Sequence, residues 1–350
     1  MKAAVLYAKG DIRCDDYREP QVGPGMLKIR VRACGICGSD IPRVLGDAAH
    51  YYPIVLGHEF SGEVAEIGEG VSGFGIGDRI AGAPLIPCLA CADCQRGSYS
   101  QCKHYSFIGS REQGALAEYV VIPARNAVRI AGNVSYEMGA LFEPATVALH
   151  GVLCAEFKGG GTVAILGGGN IGLLAAQWCR ILGAQSVAVF DIDDDRLALA
   201  KKLGADAVFN VQATDFTSAL KEYIGELGFD YVFETAGQPS TIQLGFDLTD
   251  AKGVMCCIGT PSRDVCYDAH LWEQLNRKEF RLTGSWMSYS APFPGKEWYW
   301  TAHYFATGQL RLDDSMIFRR FPLCRVSEAF ELYKDPSAVK GKVLILNHDL

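Results

Sequence analysis

The stretch TVAILGGGNIGLLAAQWCRILGAQSVAVFD, residues 162–191, decides the fold. An apolar strand pattern, TVAILG, passes directly into Gly167-Gly168-Gly169-Asn170-Ile171-Gly172. A mostly apolar helical segment follows, and then a second strand pattern, SVAVFD. Strand, glycine turn, helix and strand in that order is βαβ logic, which implies a parallel sheet. Gly167, Gly169 and Gly172 fill the positions of a G-x-G-x-x-G turn. The first permits the tight turn, the second lets a pyrophosphate approach the backbone, and the third lets the helix pack closely on the strand. The helix opening at Asn170 and Ile171 offers free N–H groups to phosphates. Asp191 ends the next strand, where an acid meets the adenosine ribose hydroxyls and repels a 2′-phosphate, so NAD is expected rather than NADP. Arg196 either flanks the adenine or is a solvated helix arginine. Gly259, closing the later strand GVMCCIG, completes the cofactor candidates. The plain alternative is a glycine-rich turn with no ligand.

Outward from this stretch, the βαβ texture begins near residue 145 and continues through FDYVFETAG, TIQLGFDLTDAKGVMCCIGT and KEFRLTGSW. The first third instead shows short β segments between Gly and Pro turns: KAAVLYA, MLKIRVRACGIC, EFSGEVAEIG, DRIAGAPLI and LAEYVVIP. GKVLILN near the end is again a strand pattern. A chain of 350 residues is expected to form two domains. The net charge of −7, without clustered Lys or Arg, argues against a nucleic-acid partner. The N-terminus MKAAVLYAKGDIRC lacks the form of a signal peptide. The long uncharged stretch around the glycine turn is broken by glycines and Asn170, so no membrane span is expected. The cysteine count is odd, 13, which fits a reducing compartment, and a cytoplasmic protein is expected.

Two cysteine patterns carry metal chemistry. Cys88, Cys91, Cys94 and Cys102 follow C-x2-C-x2-C-x7-C within IPCLACADCQRGSYSQC. Four thiolates on a turn-rich loop suit a closed tetrahedral zinc site; an iron–sulfur cluster is the alternative, though the usual following Cys-Pro is missing. The second set is dispersed: Cys37 in CGICGSD, His58 and Glu59 in GHEFSG, and Glu143 in FEPATVALH. Singly, each has a plain reading: Cys34 and Cys37 imitate a redox pair, His58 is a core histidine, Glu143 caps a helix. Together, a thiolate, an imidazole and carboxylates are the donors of a zinc site with an exchangeable position.

CGICGSD, GHEFSGEVAEIGEGVSGFGIGDRI, the four-cysteine lobe and the GGGNIG turn, in this order, resemble the zinc-dependent medium-chain dehydrogenase/reductase family over essentially the whole chain. The resemblance implies an α/β fold with a GroES-like β-rich catalytic domain around a Rossmann domain with a doubly wound parallel sheet. The expected division is 1–146 (with the structural zinc lobe at 86–103), 147–284 for the NAD-binding domain, and 285–350 completing the catalytic domain. It also implies two zinc ions per chain, one catalytic and one structural. Residues matching Cys37 and His58 hold the catalytic zinc, and Glu59 and Glu143 match acids that bind it directly or through water. Asp40 matches the acid that orients the histidine, Ser39 the hydroxyl that takes the alcohol proton, and Cys34 has no part. Pro42 stands where several relatives continue the proton relay with a histidine; His50 is the possible substitute.

A narrower resemblance, carried by GSDIPRVLGDAAHYYPIVLGHEFSG, QCKHYSFIGSREQGALAEY and TGSWMSYSAPFPGKEW, is to the polyol-phosphate dehydrogenases within that family. A phosphorylated small molecule requires a cation, and Arg43, Arg111 and Lys296 fall in these segments. An unphosphorylated polyol or diol is the neighbouring expectation, and a non-catalytic dinucleotide-binding protein the more distant one. A homodimer or homotetramer is expected by the same resemblance.

Overall fold

Strand Thr162–Leu166 lies inside a six-stranded parallel sheet. In spatial order its strands are Ala207–Asn210, Ser186–Asp191, Thr162–Leu166, Phe229–Glu234, Thr249–Cys257 and Arg281–Gly284. The structure is a computed structural model and describes residues 1–261 and 263–347. The chain builds outward from Thr162–Leu166 to one edge, then returns to build outward on its other side. Strands Thr162–Leu166 and Phe229–Glu234 are therefore neighbours at a topological switch point, with Leu166 paired to Glu234. In doubly wound sheets ligands bind outside the carboxyl ends of strands at such a point. Val163, Ala164, Ile165 and Leu166 are fully buried, as a central parallel strand covered on both faces requires. These strands belong to a unit comprising Pro144–Ser288 and Gln309–Arg311. Its boundaries fall a few residues outside the expected 147–284.

The other unit comprises Met1–Glu143, Tyr289–Gly308 and the stretch from Leu312 onward. Its larger sheet runs Ala127–Arg129, Arg79–Gly82, Glu59–Ile67, Met26–Gly35, Lys342–Leu346 and Ile317–Pro322, and Tyr119–Pro123 also pairs with Met26–Gly35. Lys2–Ala8, Asp11–Asp16 and Ile54–Val55 form a second sheet. The core between them includes Val5, Leu27, Ile29, Phe60 and Ile345, all at most 1% exposed. The segment GKVLILN enters this sheet as an inner strand antiparallel to Met26–Gly35, with Leu344 opposite Gly35 and Ile345 opposite Cys34. Residues 348–350 of the expected C-terminal segment lie outside the described residues.

DRIAGAPLI, one strand by its pattern, is two: Arg79–Gly82 and Leu85–Ile86. Pro84 lacks an N–H for the ladder, and the buried Asn126 amide bridges the break, donating to Ala83 O and Leu85 O at 2.6 Å each. Asp11–Asp16, despite its charges, is a strand because it hairpins onto Lys2–Ala8, whose residues Ala3–Leu6 are fully buried. Asn126→Ala strands two buried carbonyls, and urea denaturation should show a loss of about 2–3 kcal/mol. A loss below about 0.5 kcal/mol would mean that the amide does not hold the break.

Candidate active site

Cys37 follows the end of strand Met26–Gly35, in a loop closed by Asp40. Cys37 N donates to Asp40 Oδ2 at 3.1 Å and Asp40 N donates to Cys37 O at 3.0 Å. Ser39 brings two donors to the Cys37 sulfur, its N at 3.5 Å and its Oγ at 3.4 Å. His58 immediately precedes strand Glu59–Ile67, which pairs with Met26–Gly35, Glu59 lying opposite Gly35. Sheet pairing thus brings Cys37 beside His58 and Glu59, and one donor atom from each lies within 4.8 Å of the others.

The imidazole is 4% exposed, and its Nδ1 stands 3.5 Å from Asp40 Oδ1. Both atoms are buried without a hydrogen-bond partner. A metal-ligating histidine holds its other nitrogen against a carboxylate in this way. Burial pulls the His58 pKa down, but Asp40 and Cys37 outweigh it and hold the imidazole well above its ordinary value. The donor set of sulfur, imidazole and carboxylate fits zinc.

Glu59 is 1% exposed and both its oxygens accept from Lys342 Nζ, at 2.8 and 2.6 Å. Gly35 leaves the room: a Cβ there would stand 2.3 Å from Glu59 Oε2. Lys342 went unassigned in the sequence, where its only signal is a charge heading an apolar strand. Burial lowers its pKa, and Glu59 and Cys37 raise it above the usual lysine range. Glu143 opens helix Phe142–Cys154 and lies outside the three-residue group. Its carboxyl is pushed up to about 7, first by burial; His58 lowers it, Glu59 raises it, Lys342 lowers it and Asp40 raises it.

Cys88, Cys91, Cys94 and Cys102 bring their four sulfurs within 4.8 Å of one another. Cys88 and Cys94 are 3.9 Å apart, as are Cys91 and Cys102. Zinc–sulfur bonds of about 2.3 Å set tetrahedral sulfurs about 3.8 Å apart, so the spacing fits one ion. A four-iron cluster binds each cysteine through a separate iron and needs the four sulfurs set farther apart. Main-chain N–H groups of Cys94 and Lys103 lower the Cys91 thiol to about 6, while burial lifts Cys94 to about 12. None of the described cysteines forms a disulfide, so Cys34 and Cys37 are not a bonded pair.

In the other unit, Gly167 has φ of 105°, and a Cβ at Gly172 would stand 1.8 Å from Gly167 O. Gly169 caps helix Asn170–Ile181 without a side chain, leaving the first N–H groups open. Asp191 is 8% exposed; its Oδ2 accepts from Gly168 N at 2.6 Å, and Arg196 Nη1 lies 3.8 Å away. Gly259 packs against the turn after strand Phe229–Glu234.

Residues 23–132 match the alcohol dehydrogenase GroES-like domain and residues 170–302 the zinc-binding dehydrogenase domain. Galactitol 1-phosphate 5-dehydrogenase of Escherichia coli K12 is 37% identical, over 99% of this chain and 100% of that one. The chain belongs to the zinc-dependent medium-chain dehydrogenase/reductase family. The crystal structure of the Escherichia coli galactitol-1-phosphate dehydrogenase superposes with a TM-score of 0.92 at 36% identity, covering 99% of this chain and 100% of the other. A zinc-binding dehydrogenase from Sinorhizobium meliloti bound to NADP gives 0.89 at 34% identity, covering 99% and 98%. L-threonine 3-dehydrogenase of Shewanella woodyi is 34% identical over 95% of each chain. As a medium-chain dehydrogenase the chain is a zinc-dependent alcohol dehydrogenase with a GroES-like domain and a Rossmann-type domain. Among the described residues no helix is long and apolar enough to cross a membrane.

Two outcomes are expected. Cys37→Ser and Cys91→Ser should each lower the zinc content measured by elemental analysis, from two ions to one per chain. Cys37→Ser should lose turnover with a near-normal melting midpoint, and Cys91→Ser should lose thermal stability first. The reverse pairing would exchange the roles of the two sites. Lys342→Met leaves the Glu59 charge buried and unpaired, at a cost of about 3–5 kcal/mol in denaturation. Adding Glu59→Gln should recover most of that loss; strictly additive losses would show that the two residues are not coupled.

Proposed function

We propose that the chain oxidises a secondary alcohol of a polyol phosphate with NAD, converting galactitol 1-phosphate to tagatose 6-phosphate. The observation that supports this reading is a pair of arginines, Arg43 and Arg111, that both act on His50 near the Cys37 loop. The His50 pKa is lowered by partial burial, then by Arg111 and Arg43, so the three side chains lie within electrostatic reach of one another. Arg43 follows the short helix start after Asp40, its guanidinium donating to Ser39 O and standing 3.7 Å from Asp40 Oδ1. Arg111 is exposed and rests 4.6 Å over the Tyr105 ring, and the Tyr51 hydroxyl donates to its main-chain oxygen at 3.4 Å. Two guanidinium groups that both act on His50 suit a phosphate dianion. Lys296, exposed and 5.4 Å over the Trp300 ring, is the third candidate cation.

Cys37, His58 and a carboxylate from Glu59 or Glu143 would hold the catalytic zinc. When bound, zinc supplies Lewis-acid polarisation of the alcohol oxygen, which makes the hydroxyl easier to deprotonate. Ser39 Oγ, tethered to the Cys37 sulfur, is the hydroxyl placed to accept that proton. Pro42 lies in the first turn of helix Ile41–Val44 and has no side-chain group to pass the proton on. His50, whose pKa is lowered first by partial burial and then by Arg111 and Arg43, is the proposed next acceptor. Asp40 keeps the His58 ring in orientation. The cofactor carries the hydride. Asp191 beside the glycine turn favours NAD, because a 2′-phosphate there would meet a carboxylate already turned toward Gly168.

Turnover of galactitol 1-phosphate and of free galactitol, followed by NADH formation, tests the reading. Arg111→Ala should raise KM for the phosphorylated substrate about tenfold or more and leave free galactitol within about twofold, as loss of a charge-assisted bond predicts. Equal effects on both substrates, or turnover of free alditols or diols alone, would overturn the phosphate assignment and leave an unphosphorylated alcohol as substrate.

A further inference from the structure

Glu234 ends strand Phe229–Glu234 at the switch point and is fully buried. Its Oε1 accepts three hydrogen bonds, from Ala236 N at 2.9 Å, Gly237 N at 2.8 Å and Thr241 Oγ1 at 2.7 Å. Its Oε2 is buried and has no hydrogen-bond partner. Its main-chain oxygen accepts two more bonds, from Ile258 N at 2.8 Å and Gly259 N at 3.0 Å. A single residue thus joins the ends of two adjacent strands to the first turn of helix Pro239–Leu248. Thr235 extends the connection to the glycine turn, its Oγ1 lying 2.9 Å from Leu166 O and 3.1 Å from Gly167 O.

The surroundings leave the turn little freedom. A Cβ at Gly259 would stand 2.3 Å from Gly237 N and 2.8 Å from Glu234 Oε2, and a Cβ at Gly237 would stand 2.6 Å from Thr260 O. Above this buried hub, Ala236 and Gln238 are exposed. The sheet order says what faces them. Asp191 and the glycine turn take the adenosine and pyrophosphate on one side of the switch point. A dinucleotide crossing that point must then lay its nicotinamide half over the end of strand Phe229–Glu234.

We propose that Glu234 is a positioning residue for the nicotinamide half of the cofactor. It touches no ligand itself; it fixes the backbone of the Thr235–Gln238 turn and of Ile258–Gly259, which do. Burial pushes the Glu234 carboxyl above the usual range, while Thr241, Gly237 and Ala236 act against that by donating to it. A buried carboxylate with a spare oxygen is a costly way to hold a turn that needs only stability. The proposal rests on the reading that this unit binds a dinucleotide.

The test uses the full zinc-loaded chain with two probes: NADH, followed by its fluorescence, and ADP, followed by competition. Glu234→Gln replaces a charged acceptor with a weaker one and adds a buried amide donor. NADH affinity should fall about tenfold, ADP affinity should stay within about twofold, and KM for NAD should rise more than kcat falls. Thr241→Val removes one donor, keeps the carboxylate, and should give the same pattern at about threefold, so the test survives if Glu234→Gln does not fold. Equal losses for NADH and ADP would show that Glu234 only supports the fold, and unchanged NADH affinity would show that it does not position the turn; either overturns the proposal. Wild-type protein that binds neither probe would bring down the dinucleotide reading itself, and this inference with it, before any substitution is made.

Discussion

The buried ion pair between Glu59 and Lys342 joins positions 283 residues apart, and the catalytic cluster is assembled around it. Such a pair adds little net stability, because removing two charges from water costs about as much as their attraction returns. What it provides is specificity. Glu59 opens one strand and Lys342 the last strand, and both flank Met26–Gly35, whose end delivers Cys37. A slip of either neighbour would leave a charge buried without its partner. The register of three strands is thereby tied to the placement of Cys37 and His58.

The same pair sets the charge at the metal donors. The Cys37 sulfur and several carboxyl groups surround His58, and Lys342 pairs with one of them, Glu59. Asp40 and Cys37 raise the His58 pKa, whereas burial comes first in lifting the Glu143 carboxyl to about 7. The four-cysteine lobe follows a different rule. Its sulfurs stand about a van der Waals contact apart and leave no position for a fifth group, so a metal there is a staple, whereas the mixed set at Cys37 is open to exchange.

The two units differ in how openly they declare themselves. The dinucleotide unit is local: its glycine turn, helix start and acid lie within thirty residues, and strand periodicity with glycine spacing suffices to read them. The candidate metal donors and their lysine partner come from positions 37, 58, 59 and 342, and no periodicity connects the three segments that carry them. Cys37, His58 and Glu59 could be singled out only by residue type and family pattern, and Lys342 was hidden inside an apolar strand. Arg43, His50 and Arg111 each read as an ordinary surface side chain until the loops that carry them are seen to converge. Glu234 is hidden for a related reason: FETAG looks like the end of a strand, and the donors that converge on its carboxylate come from a turn, a helix and the neighbouring strand.

By itself, then, the amino-acid order determined the βαβ unit, the closed four-cysteine spacing and the residue types available for a second metal site, because each depends on contacts a few residues apart. Tertiary structure alone decided which carboxylate is neutralised, which imidazole nitrogen faces Asp40, and which arginines come near His50. Those outcomes depend on strand register and on burial, where a shift of one residue turns a side chain to the opposite face of the sheet and a charge is tolerated only against its partner.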